Sequence, residues 1–150
     1  MSWFSDLFKS VRRFFSMTNS SEKVIAELEE YSKDLVYISE MDGYFSTFEW
    51  KVDTDTLSNK HLRSHLNKPS DTPIQEISVN QFFRNKVKLR EHYSEAKRRT
   101  VTRFQELVEC IESNLTDPKV FKIGQVKKEV YIIGKVNERY IGLKTNVVET

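Results

Sequence analysis

The sequence predicts an α+β fold built on a mostly antiparallel sheet, preceded by a separate amphipathic helix. Three observations predict it. The apolar patterns run in the order helix, strands, helix, strands. The last third holds three apolar runs, near 119–127, 129–136 and 139–148, with Asn137-Glu138 in the last turn. Between them and the earlier strands, Val101, Phe104, Leu107, Val108, Ile111 and Leu115 step by three and four, the signature of a helix that packs one full face.

Residues 2–16 open the chain with its most regular helical pattern. At about 100° per residue, Trp3, Phe4, Leu7, Phe8, Val11, Phe14 and Phe15 fall on one face, and Asp6, Lys9, Arg12 and Arg13 lie opposite. A helix this short is marginal alone in water, so its aromatic face needs a dock. The candidates are the chain's own following domain, a second protein, or a membrane surface, which favours aromatics with Lys and Arg.

Met17 to Ser21 reads as a polar hinge, dividing the chain into a leader at 1–19 and a domain at 20–150. Asn19 with Glu22 has capping-box spacing. Val24, Ile25, Leu28, Tyr31 and Leu35 then mark the buried face of a helix of about four turns. Val36 to Ser39 turns extended, Met41-Asp42-Gly43 makes a turn, and Tyr44 to Val52 alternates as a strand with Phe48 and Trp50 on one face. Residues 53–72 are polar, with a short helix near Asn59–Leu66; His61 and His65 share its face as a half metal site without a third ligand, and read better as solvated histidines. A strand at Pro73–Val79, a short helix at Gln81–Asn85 with Phe82 and Phe83 tucked under the sheet, and the long helix from about Tyr93 follow. Asp117-Pro118 stops that helix.

Charged residues make up 31% of the 150 and hydrophobic ones 38%, ordinary for a soluble protein. The net charge of +2 comes from the leader, and the remainder is balanced, so composition alone predicts no nucleic-acid partner. The single cysteine, Cys110, allows no internal disulfide and reads as a small buried hydrophobe. With no secretory signal and no run near the ~20 apolar residues that span a bilayer, a cytoplasmic setting is expected, with the leader offering peripheral attachment at the inner membrane face. Three histidines, one helical cysteine and four glycines leave no nucleophile–base pair and no phosphate loop, so no enzyme and no cofactor are expected.

The chain closes on Tyr140 to Thr150, apolar up to Val147 and Val148, and such an end should be tied down. It then presents the Thr150 hydroxyl and carboxylate as hard oxygen donors of the kind that suit Mg2+ or Ca2+, unless it is an ordinary edge strand with a solvated end. Glu40 ends the run LVYIS, either as a solvated turn acid or as a carboxylate aimed outward from a strand end.

LKTNVVET at the end, DPKVFKIGQV at 117–126, VYIIG at 130–134, LVYISE at 35–40, FEW at 48–50, FFR at 82–84 and RFQELVECIESNL at 103–115 are collinear. Over roughly 21–150 the chain resembles the nuclease A inhibitor family. The resemblance implies an α/β/α sandwich that plugs the active site of a metal-dependent, sugar-non-specific endonuclease. It implies that Thr150 reaches the partner's metal, the protein binding no metal of its own, and that Glu40 meets basic residues around that metal; Glu149 would add negative potential toward a cationic cleft. The family carries an exposed tryptophan where His92 falls here, which makes His92 a rim residue. From 84 to 103 the chain also departs in charge: Arg84, Lys86, Lys88, Arg90, Lys97, Arg98, Arg99 and Arg103 stand against only Glu91 and Glu95. That basic run is either a solvated helix face or, with the leader, a binding module for anionic membrane or nucleic acid.

Overall fold

A computed structural model describes residues 21–52 and 54–150. The leader pattern from Trp3 to Phe15, the hinge as far as residue 20 and the Asn19 cap lie outside the described residues, and Ser21 of the expected hinge is already helical. The first described element is a helix, α1, over 21–32. Val24 and Leu28 are buried as the spacing predicts. The helix is shorter than its apolar pattern, because Asp34 takes a left-handed φ of 62° and turns the chain away. Within the last turn of the helix Tyr31 is exposed and Ser32 is buried instead, its hydroxyl donating to the Leu28 carbonyl at 2.6 Å.

Strands β1 (Val36–Ile38) and β2 (Asp42–Tyr44) form a two-stranded hairpin. Here the structure corrects two expectations. Asp42-Gly43 lies inside a strand, with the turn at 39–41, and the expected strand Tyr44–Val52 is broken at Phe45 into β2 and β3 (Ser46–Trp50). A short helix α2 (Asn59–His65), strand β4 (Ile74–Ile77), helices α3 (Val79–Phe83) and α4 (Glu95–Asn114), and strands β5 (Thr116–Ile123), β6 (Lys127–Val136) and β7 (Arg139–Val148) complete the order. β4 ends before Val79, which instead begins α3 behind a Ser78–Gln81 capping box. Asp117-Pro118 does not stop α4, which ends at Asn114; it sits in an irregularity of β5, with Asp117 at φ 51°.

The five-stranded sheet has the order β3-β7-β6-β5-β4, every neighbour antiparallel. Alternation along β6 sends Val130 and Ile132 to one face and Tyr131 and Ile133 to the other. On the first face they join Leu28, Phe83, Phe104, Leu107 and Ile111 beneath α1, α3 and α4. On the second, Phe121, Ile123 and Tyr140 pack with Leu62 of α2 and with Phe48 and Trp50. Helices thus cover both faces of the sheet. His61 closes the capping box of α2 with Ser58, and the His65 ring packs 4.4 Å from that of Trp50. Cys110 is buried. No helix among the described residues is long and apolar enough to cross a membrane.

Candidate functional site at the end of β7

β7 lies between β3 and β6, and its last residues run beyond β3, whose pairing ends at Ser46↔Lys144. The β1–β2 hairpin takes over that open edge. Tyr37 and Gly43, cross-strand partners, share its inward face. The Tyr37 ring stacks on Phe82 at 4.2 Å, and its hydroxyl donates to the Phe82 carbonyl at 2.7 Å. Gly43 presses against β7 so closely that a Cβ would stand 2.4 Å from the Asn146 carbonyl oxygen. Only glycine fits there.

From this position the turn at 39–41 grips the end of β7. The Ser39 hydroxyl accepts the Val148 N–H at 3.0 Å, and the Glu40 N–H points to the Val148 carbonyl at 3.4 Å. On the other side the Glu149 N–H donates to the Val126 carbonyl at 3.0 Å, extending the β6–β7 ladder past Lys127↔Val148. Held from both sides, Thr150 donates its hydroxyl to a Glu40 carboxylate oxygen at 2.7 Å, with both side chains exposed. Two residues singled out at separate strand ends therefore form one oxygen cluster. Thr150 spends its proton on Glu40, which leaves the hydroxyl oxygen as an acceptor.

Glu149 points elsewhere. Lys122 Nζ meets it at 2.7 Å and Lys128 Nζ at 3.7 Å. Burial alone would push its carboxyl up, but the hydrogen bond and charge of Lys122, with Lys128, hold it below the usual carboxylate range. Its charge is answered within the chain. Burial, with the nearby Glu149 charge, pushes the Tyr37 hydroxyl up to about 12. Glu129, on the opposite face of the sheet, is similarly enclosed by Lys68 and Lys144 and accepts from the Tyr131 hydroxyl.

The 84–103 segment adjoins this end through Lys86, whose Nζ donates to the Ile38 carbonyl at 2.7 Å and lies 4.7 Å from the Tyr37 ring centroid. Several of its cations are used internally. Arg98 donates to the Tyr93 and Glu91 carbonyls, Arg103 donates to the Lys33 carbonyl beyond the end of α1, and Lys97 covers the Tyr93 ring. Arg84, Lys88, Arg90 and Arg99 remain exposed. His92 is exposed with its ring edge-on to Tyr93 at 5.0 Å, and no hydrogen bond joins it to Glu40 or Thr150 among the described residues.

Ser39, Lys122, Lys128 and Tyr37 were not legible as site residues. Their contacts bridge 109 residues for Ser39–Val148 and 27 for Lys122–Glu149, and no local pattern signals them. Among the described residues, no group of three or more His, Cys, Asp or Glu is placed to hold a metal. A concavity of about 600 Å³ at the other end of the strands includes Lys51, Asp55, Lys135 and Arg139, where Lys135 pairs with Asp55. The end of β7 can instead offer oxygens to a cation or to basic groups of another molecule.

The profile of one family, NuiA, nuclease A inhibitor-like protein, matches residues 22–150. Among curated proteins, none matches the chain.

Proposed function

Because the chain belongs to the nuclease A inhibitor-like family, a family of nuclease inhibitor proteins, we propose that it inhibits a sugar-non-specific, metal-dependent endonuclease by plugging the active site with Thr150. One observation carries this reading: the Thr150–Glu40 pair at the end of β7, fixed by the Ser39 and Val126 contacts. A nuclease metal binds phosphate oxygens and water. The Thr150 hydroxyl and carboxylate replace those ligands without offering an ester to cleave. Glu40 accepts the hydroxyl's hydrogen bond and adds a carboxylate for basic groups beside the metal. Holding these oxygens in place before binding lowers the ordering cost of the complex. Glu149 acts mainly as an anchor, its charge matched by Lys122 and Lys128. His92 serves the rim. The experiment is to append one glycine after Thr150 and assay digestion of DNA by a purified Mg2+-dependent, sugar-non-specific endonuclease. Loss of inhibition supports the plug, and undiminished inhibition rules it out.

A second reading rests on the exposed Arg84, Lys88, Arg90 and Arg99. With the leader, they would bind anionic membrane or nucleic acid at an affinity that falls steeply with salt. Pull-downs at low and moderate salt, with and without residues 1–16, decide it.

A further inference from the structure

Among the described residues, the exposed large hydrophobics are Tyr31, Ile38, Met41, Tyr44, Leu89 and Val126. Three of them belong to the β1–β2 hairpin, at 58% exposure for Ile38, 41% for Met41 and 67% for Tyr44. Val126, whose carbonyl binds the Glu149 N–H, stands on the other side of the same tip. The exposure is enforced by the fold. Cross-strand pairing puts Tyr37 and Gly43 on one face, so Val36, Ile38, Asp42 and Tyr44 take the other. The hairpin cannot turn over, because the Gly43 site leaves no room for a side chain and the Tyr37 hydroxyl is bound to Phe82. A two-stranded hairpin is weak alone. This one is stitched to the rest of the domain by Tyr37 to Phe82, Lys86 to the Ile38 carbonyl, Ser39 and Glu40 to Val148, and Thr150 to Glu40.

Resting on the inhibitor reading, we propose that Ile38, Met41 and Tyr44 form a preorganised apolar ledge that seats against an apolar rim around the cationic, metal-bearing cleft of the partner nuclease. Charge selects this occupant. The hairpin's own charges are Glu40 and Asp42, both acidic and both within the ledge. An anionic lipid surface pressed on this face would meet both carboxylates, while the adjoining Lys86 ammonium is turned onto the Ile38 carbonyl and the Tyr37 ring. A second copy of the chain would bring the same carboxylates together. A protein with basic groups inside an apolar border matches both features, and the ledge is continuous with the Thr150 tip. Apolar groups surrounding a polar centre exclude water from it and strengthen its contacts.

The test replaces Ile38→Ser, Met41→Ser and Tyr44→Ser, singly and together, in the full chain. Inhibition of a purified Mg2+-dependent, sugar-non-specific endonuclease is titrated beside wild type and the glycine-extended chain. The triple variant is expected to weaken inhibition about 30-fold or more, as loss of an anchor cluster does. Its thermal midpoint should match wild type, since exposed substitutions move stability little; if the triple variant melts early, the Tyr44→Ser single variant carries the comparison. Wild-type inhibition that the extension abolishes and the ledge variants retain overturns the ledge and leaves the plug standing. Absence of inhibition by wild type removes the inhibitor reading and the ledge with it. Cosedimentation of wild type with phosphatidylcholine vesicles containing phosphatidylglycerol, or dimerisation in solution, either one lost in the triple variant, reassigns the surface and overturns the proposal.

Discussion

Thr150 and Glu40, 110 residues apart, meet through a 2.7 Å hydrogen bond from hydroxyl to carboxylate. Everything proposed for the tip depends on that bond setting where the last oxygens stand. Thr150→Val keeps the side-chain shape and removes the donor. Both residues are exposed, so stability should stay within about 0.5 kcal/mol of wild type. Inhibition should fall about tenfold or more, the worth of one such interaction. Nuclease titration paired with thermal denaturation checks both, and a fall in stability without a change in inhibition would falsify the role assigned to the hydroxyl.

The anchor beneath the tip should fail in acid. Lys122 and Lys128 hold Glu149 below the ordinary carboxyl value of 4.5. A depressed folded pKa means stability that is fully present above the unfolded value and is lost as pH falls through the folded one. Glu149 keeps a side-chain exposure of 38%, so solvent screening keeps the global effect small. The local readouts are sharper. The Glu149 carboxyl resonance should titrate below the ordinary range, and Lys122→Met should move that titration upward. The Glu149 amide should exchange faster in that variant.

Much of this fold is legible from apolar spacing. β7 runs from Arg139 to Val148 as its pattern predicts, and α4 buries Val101, Phe104, Leu107 and Ile111 together. The misread places are those where a local signal serves a distant contact. Asp42-Gly43 has turn chemistry, yet the glycine is needed because β2 lies against the Asn146 carbonyl. Asp117-Pro118 looks like a helix stop and instead shapes an irregular strand. For the site, Glu40 and Thr150 stand out at the ends of apolar runs. That they touch, and that Ser39 fastens them, follows only from the path of the hairpin across β7.

Gly43→Ala tests that path. The added methyl would start 2.4 Å from the Asn146 carbonyl oxygen and 2.7 Å from Thr145 Oγ1, both on β7. Relief requires the hairpin to lift from β7, at a cost of about 1–3 kcal/mol. Denaturant unfolding should register that loss. Inhibition should fall further than stability alone explains, because lifting the hairpin carries Ser39 and Glu40 away from Val148 and Thr150.

Cys110 should be chemically quiet. Burial, with the charge of Glu27 adding to it against a hydrogen bond from Asn114, pushes its thiol up to about 11. The thiolate is the reactive form, so little is present near neutral pH. Alkylation by iodoacetamide at pH 8, followed by mass spectrometry, should be at least about tenfold slower in the folded protein than in denaturant.

Tyr37 joins the hairpin to α3, and its hydroxyl can be removed without disturbing its stacking on Phe82. Tyr37→Phe deletes only the 2.7 Å bond to the Phe82 carbonyl and should cost about 1 kcal/mol. The variant should also change how the protein responds to alkali. Burial, with the charge of Glu149, pushes the wild-type hydroxyl from 10.0 up to about 12, so the folded state retains a proton that the unfolded chain releases. Its contribution is whole below pH 10 and is lost as pH rises toward 12. Tyr131 and Tyr140 are also raised, mainly by burial, and keep their own share of that slope. Stability plotted against pH should therefore fall less steeply above pH 10 in Tyr37→Phe than in wild type, without becoming flat. Identical slopes would mean that the hairpin opens and exposes Tyr37 before the rest of the protein unfolds, and the tip would then lack the fixed support on which its proposed action depends.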